Sequence, residues 1–228
     1  MIQKIKSHKY KIAILALLFT ASVVSVALAL FRMQHSGTLH YRNLLWNLIL
    51  AWIPLVFASV AYISTFSRKP ILYIVMLGSA LVWLLFFPNA PYIITDFQHL
   101  SFVVTSVPVW YDVILLVWFA WTGLILGVVS LYLMQEVVKR VFGNALSWLF
   151  VFVSVGVGSY GIYLGRFDRW NSWEVFENPK SFVLDFLETF RHPLGNIYLL
   201  GFTLLYASFF LFNYLVHTTF AKMMSEGN

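Results

Sequence analysis

Six runs of apolar residues organise the chain: Ile12 to Phe31, Leu44 to Thr65, Ile71 to Phe87, Val113 to Met134, Ala145 to Leu164, and Ile197 to Val216. A helix needs about 20 apolar residues to cross the hydrocarbon core of a bilayer, and each run is long enough, the third only just. None of the six contains Asp, Glu, Lys or Arg. The pattern therefore predicts an all-α fold, a polytopic transmembrane helical bundle of about six spans forming one integral membrane domain over residues 1–228. Two longer polar segments, 88–108 and 165–196, separate spans, and segments of that length commonly carry function or structure of their own. In the second, Asn178 and Pro179 supply a helix cap and a first-turn proline. Phe182, Val183, Phe186, Leu187 and Phe190 then recur at helical spacing opposite Asp185 and Glu188. That spacing predicts a short interfacial helix over 179–191.

Composition agrees with the pattern. The chain is 61% hydrophobic and 11% charged, whereas soluble domains carry about 25% charged residues. A formal charge of +6 invites a nucleic-acid reading, but the basic residues sit between apolar spans instead of along one face, so no nucleic acid is expected. The absence of cysteine excludes disulfides, thiolate catalysis and Cys-ligated metals. No cofactor is expected, and the oligomeric state is left open. Ala27-Leu28-Ala29 at the end of the first span has the look of a signal-peptidase site. The apolar run exceeds the 7 to 15 residues typical of a signal core, roughly, so an uncleaved anchor is expected.

Charge sets the expected orientation. Lys4, Lys6, Lys9, Lys11, Arg68, Lys69, Lys139, Arg140 and Lys222 fall on one side of the spans, and Arg32, Arg42, Arg166, Arg169, Lys180 and Arg191 on the other. The positive-inside rule puts both termini in the cytoplasm. Most carboxylates, Asp96, Asp112, Asp168, Glu174, Glu177, Asp185 and Glu188, then face outward, with only Glu136 and Glu226 inside. Any chemistry is expected at the outer face.

The runs Trp83-Leu-Leu-Phe-Phe-Pro-Asn-Ala-Pro-Tyr-Ile-Ile-Thr-Asp96, Trp110-Tyr-Asp112 and Gly161-Ile-Tyr-Leu-Gly-Arg-Phe-Asp-Arg-Trp-Asn-Ser-Trp173 resemble a family of uncharacterised bacterial membrane proteins, domain of unknown function 1361. The resemblance covers nearly the whole chain. It implies a multi-pass protein of a bacterial cell membrane and supplies no activity.

Several polar residues stand out at the outer ends of the spans. Asp96 and His99, three residues apart, would project from one face of a helical turn and act as acid or base; solvated loop polarity or capping is the plainer explanation. Arg166, Asp168 and Arg169, with Asn171 behind them, follow the fifth span directly. Guanidinium forks bind carboxylate and phosphate in bidentate fashion, so a lipid headgroup or phosphorylated envelope precursor is a candidate ligand, while an ion-pair network among the protein's own residues is the plainer explanation. Asn89 lies between Pro88 and Pro91, where missing backbone donors force a turn that either lines a site or ends a helix. Asp112 would complete the set, and at least one of Asp96 and Asp112 is expected within salt-bridge reach of Arg166 or Arg169. No metal motif is present. Gly123-xxx-Gly127 and Gly161-xxx-Gly165 are expected to let helices approach closely, and Pro54 to bend the second span.

Three functional classes remain open on this reading. The first is a protein of the outer membrane face with a polar site for an anionic lipid-like envelope substrate. The second is a neutral-solute transporter or channel, against which the charge-free spans weigh where proton coupling is concerned. The third is a non-catalytic assembly partner. The bilayer is the one certain partner.

Overall fold

A computed structural model describes residues 2–66, 69–102, 107–170 and 196–226, together with Leu184. Among them there is no strand. The elements are α1 (Ile2–Ser36), α2 (Arg42–Ser64), α3 (Pro70–Phe86), a single turn α4 (Asn89–Tyr92), a 3-10 helix (Ile93–Phe102), α5 (Val109–Phe142), α6 (Asn144–Tyr163), a π-turn (Leu164–Asp168) and α7 (Ile197–Glu226). Six helices are long and apolar enough to cross a membrane. Their surfaces support that role. Leu17, Phe19, Ile74, Leu81, Leu205 and Phe212 are each more than 60% exposed, and apolar faces of this extent need lipid against them. The interfacial helix expected over 179–191 lies outside the described residues, apart from Leu184.

Two features of the helices differ from the sequence reading. The spans are longer than the apolar runs, so α1 carries Arg32 and α5 carries Asp112 in its first turn. The physical reason is that opposite charges neutralise one another, so a helix continues through a paired charge that would end it if unpaired. The segment after Pro88 is also regular for most of its described length, passing from one α-turn into 3-10 turns. Thr95 supports it by donating its hydroxyl to the Tyr92 carbonyl at 2.7 Å.

Packing divides the chain into two units, Met1–Trp52 with Asn89–Gly127, and Ile53–Pro88 with Val128–Asn228. The division in α2 falls beside Pro54, which lies inside that helix. In the first unit, Gly123 of α5 meets the backbone of α4 so closely that an added Cβ would sit 2.5 Å from the Ala90 carbonyl oxygen. Trp118 and Tyr111 on α5 donate to the Ala21 and Leu28 carbonyls of α1 at 3.0 Å each, and Trp52 donates to Ser22 at 2.9 Å. In the second unit, Gly158 and Gly161 of α6 accept the Phe87 ring and Pro88 where a Cβ would come within 2.9 and 2.8 Å. Helix α6 also packs along α7, through Trp148 against Tyr214 and Tyr163 against Phe202, and Phe167 of the π-turn meets Phe202 as well.

Candidate functional site

The first unit gathers its polar side chains where α1 ends and α2 and α5 begin. Arg32 stands one turn before the end of α1 and Asp112 in the first turn of α5. A cation at a helix C-terminus and an anion at an N-terminus are each favoured by the peptide dipoles. The two form a bidentate pair, Nε to Oδ1 at 2.6 Å and Nη2 to Oδ2 at 3.1 Å, with side chains 2% and 0% exposed. Tyr41, in the short connection before α2, places its ring under the guanidinium, 5.7 Å from Cζ to centroid. Burial pushes the Tyr41 hydroxyl up to about 12, the Asp112 carboxylate adding to the shift and Arg32 opposing it. Among the described residues neither the Tyr41 hydroxyl nor Arg32 Nη1 has a hydrogen-bond partner.

Asp112 is thus paired with Arg32. Charge counting leaves Arg32 without a role. Only its distance of four residues from the end of a spanning helix, and the need of any arginine there for a partner, hinted at one.

Asp96 and His99 do share one face of the 3-10 helix. The Asp96 carboxylate is buried, accepts a hydrogen bond from the Asn47 amide of α2 at 2.8 Å, and lies 3.7 Å from His99 Nε2. The His99 side chain is 30% exposed. His40 closes the group: its Nε2 is 3.4 Å from the His99 carbonyl oxygen, and the two rings meet edge to face at 5.9 Å. His40 also packs edge-on against Tyr41, so one continuous polar layer runs from Asn47 through Asp96, His99, His40 and Tyr41 to the Arg32–Asp112 pair. Asn47, His40 and Tyr41 are the other members that sequence reasoning did not place. The layer could hold and exchange a proton at His99 while a fixed carboxylate steadies the ring. No cluster of three His, Asp or Glu side chains suited to a metal occurs among the described residues.

The remaining candidates fall elsewhere. Asn89 opens α4 and is half-buried. In the second unit, Arg166 and Asp168 lie on the π-turn, with Arg166 half-buried and Asp168 exposed. Arg169 closes that turn in a left-handed conformation at φ 59°, which costs a residue with a Cβ about 1–3 kcal/mol. Single π-turns and left-handed non-glycine residues concentrate at functional positions. Asn171 lies outside the described residues.

A family described as "Protein of unknown function (DUF1361)" matches residues 46–212. The chain belongs to this family. The match to DUF1361 takes in Asn47, Asp96, His99, Asp112 and the π-turn, while Arg32, His40 and Tyr41 precede it. No curated protein matches the chain and no solved structure matches it.

Proposed function

We propose that this membrane protein works at the outer face of a bacterial cell membrane, where it binds the headgroup of an anionic lipid-like envelope substrate and handles a proton through His99. The observation that carries the reading is the buried Asp96 carboxylate, immobilised by Asn47 and facing the half-buried His99 imidazole. Placing Nε2 toward a fixed carboxylate sets the ring and turns Nδ1 to its other side, which is the arrangement an acid–base histidine needs. Asp96 is then a positioning residue. The Arg32–Asp112 pair is fully enclosed and braces the helices that carry the layer. Both termini lie in the cytoplasm on this reading, in keeping with the distribution of lysine and arginine.

Arg166 and Arg169 belong to the proposal as anion contacts of the second unit, presented by the π-turn. Arg166→Lys keeps the charge and loses the planar fork, so it should reduce the anionic lipid retained on purification while the fold survives.

The test compares polar lipids and lipid-linked envelope intermediates, by mass spectrometry, in cells lacking the gene and in cells complemented with wild type, His99→Gln or Asp96→Asn. A species that accumulates without the gene should vanish with wild type, persist with His99→Gln and fall in part with Asp96→Asn. Full restoration by His99→Gln at normal protein level would overturn the acid–base role. An unchanged lipid profile in every strain would overturn the substrate class and favour solute passage or an assembly role.

A further inference from the structure

His99 does not stand alone in its layer. His40, in the connection between α1 and α2, is 59 residues away in sequence, yet the fold brings the two imidazoles to a centroid separation of 5.9 Å with their planes at 89°. The connection is fixed by its own bonds. Gly37 leaves α1 in the left-handed conformation at φ 66°, a common way to end a helix. The Thr38 amide then donates to the Ser36 hydroxyl oxygen at 3.3 Å, and the Arg42 amide donates to the Leu39 carbonyl at 3.1 Å. Both histidines are half-buried, so part of each ring stays reachable.

The hydrogen bond of His40 decides where its proton sits. Its Nε2 lies 3.4 Å from the His99 carbonyl oxygen, and a carbonyl only accepts, so the neutral ring carries its proton on Nε2 and its lone pair on Nδ1. Among the described residues Nδ1 has no hydrogen-bond partner, the other contacts of the ring being edge-to-face with Tyr41 and His99. His99 is backed differently. Its Nε2 faces the Asp96 carboxylate at 3.7 Å, and a neighbouring anion favours an added proton on the ring. One ring is set to give a proton and the other to take one.

We propose that His40 is the second acid–base residue of the layer, taking a proton on Nδ1 from an attacking hydroxyl while His99 returns one to the leaving oxygen. The inference rests on the reading of His99 as an acid–base residue acting on an anionic headgroup. It adds the reaction class, transfer of a phosphoester-linked headgroup to the hydroxyl of water or of an alcohol. In that step the hydroxyl O–H bond breaks toward His40 as its oxygen bonds phosphorus. The P–O bond to the leaving oxygen breaks, and the proton from His99 completes that oxygen as an alcohol. One proton enters the pair, one leaves it, and no electron is gained or lost. A centroid separation of 5.9 Å lets both rings reach oxygens of a single phosphate, as acid–base transfer requires.

The proton position is measured by nuclear magnetic resonance on the full chain in detergent micelles, with isotope-labelled histidine and His40→Gln to assign the signals. The neutral His40 ring should carry its proton on Nε2, and a proton on Nδ1 would overturn the assignment. His40→Gln keeps a donor near the Nε2 position, and with it the tie to the His99 carbonyl, but has no basic nitrogen. In membranes from the strains described above, His40→Gln should slow clearance of the accumulated lipid about 10²-fold or more, as His99→Gln does. The double variant should be no slower than either single one, because an acid–base pair works as a unit. Wild-type clearance by His40→Gln beside an inactive His99→Gln would overturn the role of His40 and leave that of His99 standing. A loss matched by a fall in protein level or melting temperature would make His40 structural and overturn the proposal as well. A lipid profile indifferent to every variant would overturn both roles together.

Discussion

Arg32 and Asp112 are the residues on which the first unit depends most. Two charges with 2% and 0% exposure are tolerable only as a pair, and removing one partner leaves the other unsolvated. Asp112→Ala should therefore lower stability by about 3–5 kcal/mol, whereas Arg32→Met combined with Asp112→Leu should return to wild-type stability or exceed it. Thermal unfolding in detergent distinguishes the two. Tyr41 gives a pH signature. Its hydroxyl titrates at 10.0 when exposed and near 12 in the fold, so the folded state prefers the neutral phenol. The stability this contributes is complete below pH 10 and is lost as pH rises toward 12. Alkaline titration of the Tyr41→Phe variant should show a shallower loss of helicity over that window than wild type. Asp96 and His99 were legible because three-residue spacing puts them on one helical face whatever the rest of the chain does. Arg32 was not, because its partner lies 80 residues away and only the tertiary fold selects it.

At the scale of elements, helix spacing is set where glycine replaces a side chain. Gly123 and Gly201 offer a controlled comparison. A Cβ at Gly123 would stand 2.5 Å from the Ala90 carbonyl oxygen, while one at Gly201 on α7 would meet nothing within 4 Å. Gly123→Ala should cost about 1–3 kcal/mol because α4 must move away. Gly201→Ala should stabilise by roughly 0.8–1 kcal/mol through helix propensity alone. Detergent melting curves of the two variants should shift in opposite directions. The six spans were readable because lipid demands long apolar runs with few exceptions. Helix ends were harder to place, since apolarity stops at the first charge while a helix does not. The π-turn at Leu164–Asp168 had no sequence signal, because a backbone register of that kind reflects packing at the end of α6 and not composition.

For the whole molecule, six helices are long and apolar enough to cross a membrane, a polar layer built from Arg32, His40, Tyr41, Asn47, Asp96, His99 and Asp112 gathers at helix ends of the first unit, and the proposed orientation puts that layer at the outer face. The orientation decides which compartment can supply its ligand. The absence of cysteine allows a single introduced thiol to be read without background. Gln98 lies on the exposed side of the 3-10 helix beside His99, and Lys139 is exposed near the end of α5. Cysteine variants at these two positions, treated in intact cells with a membrane-impermeant thiol reagent, test the account most directly. It predicts labelling of Gln98→Cys and protection of Lys139→Cys until the cells are permeabilised. Labelling of Lys139→Cys with protection of Gln98→Cys would place the polar layer in the cytoplasm and contradict the account.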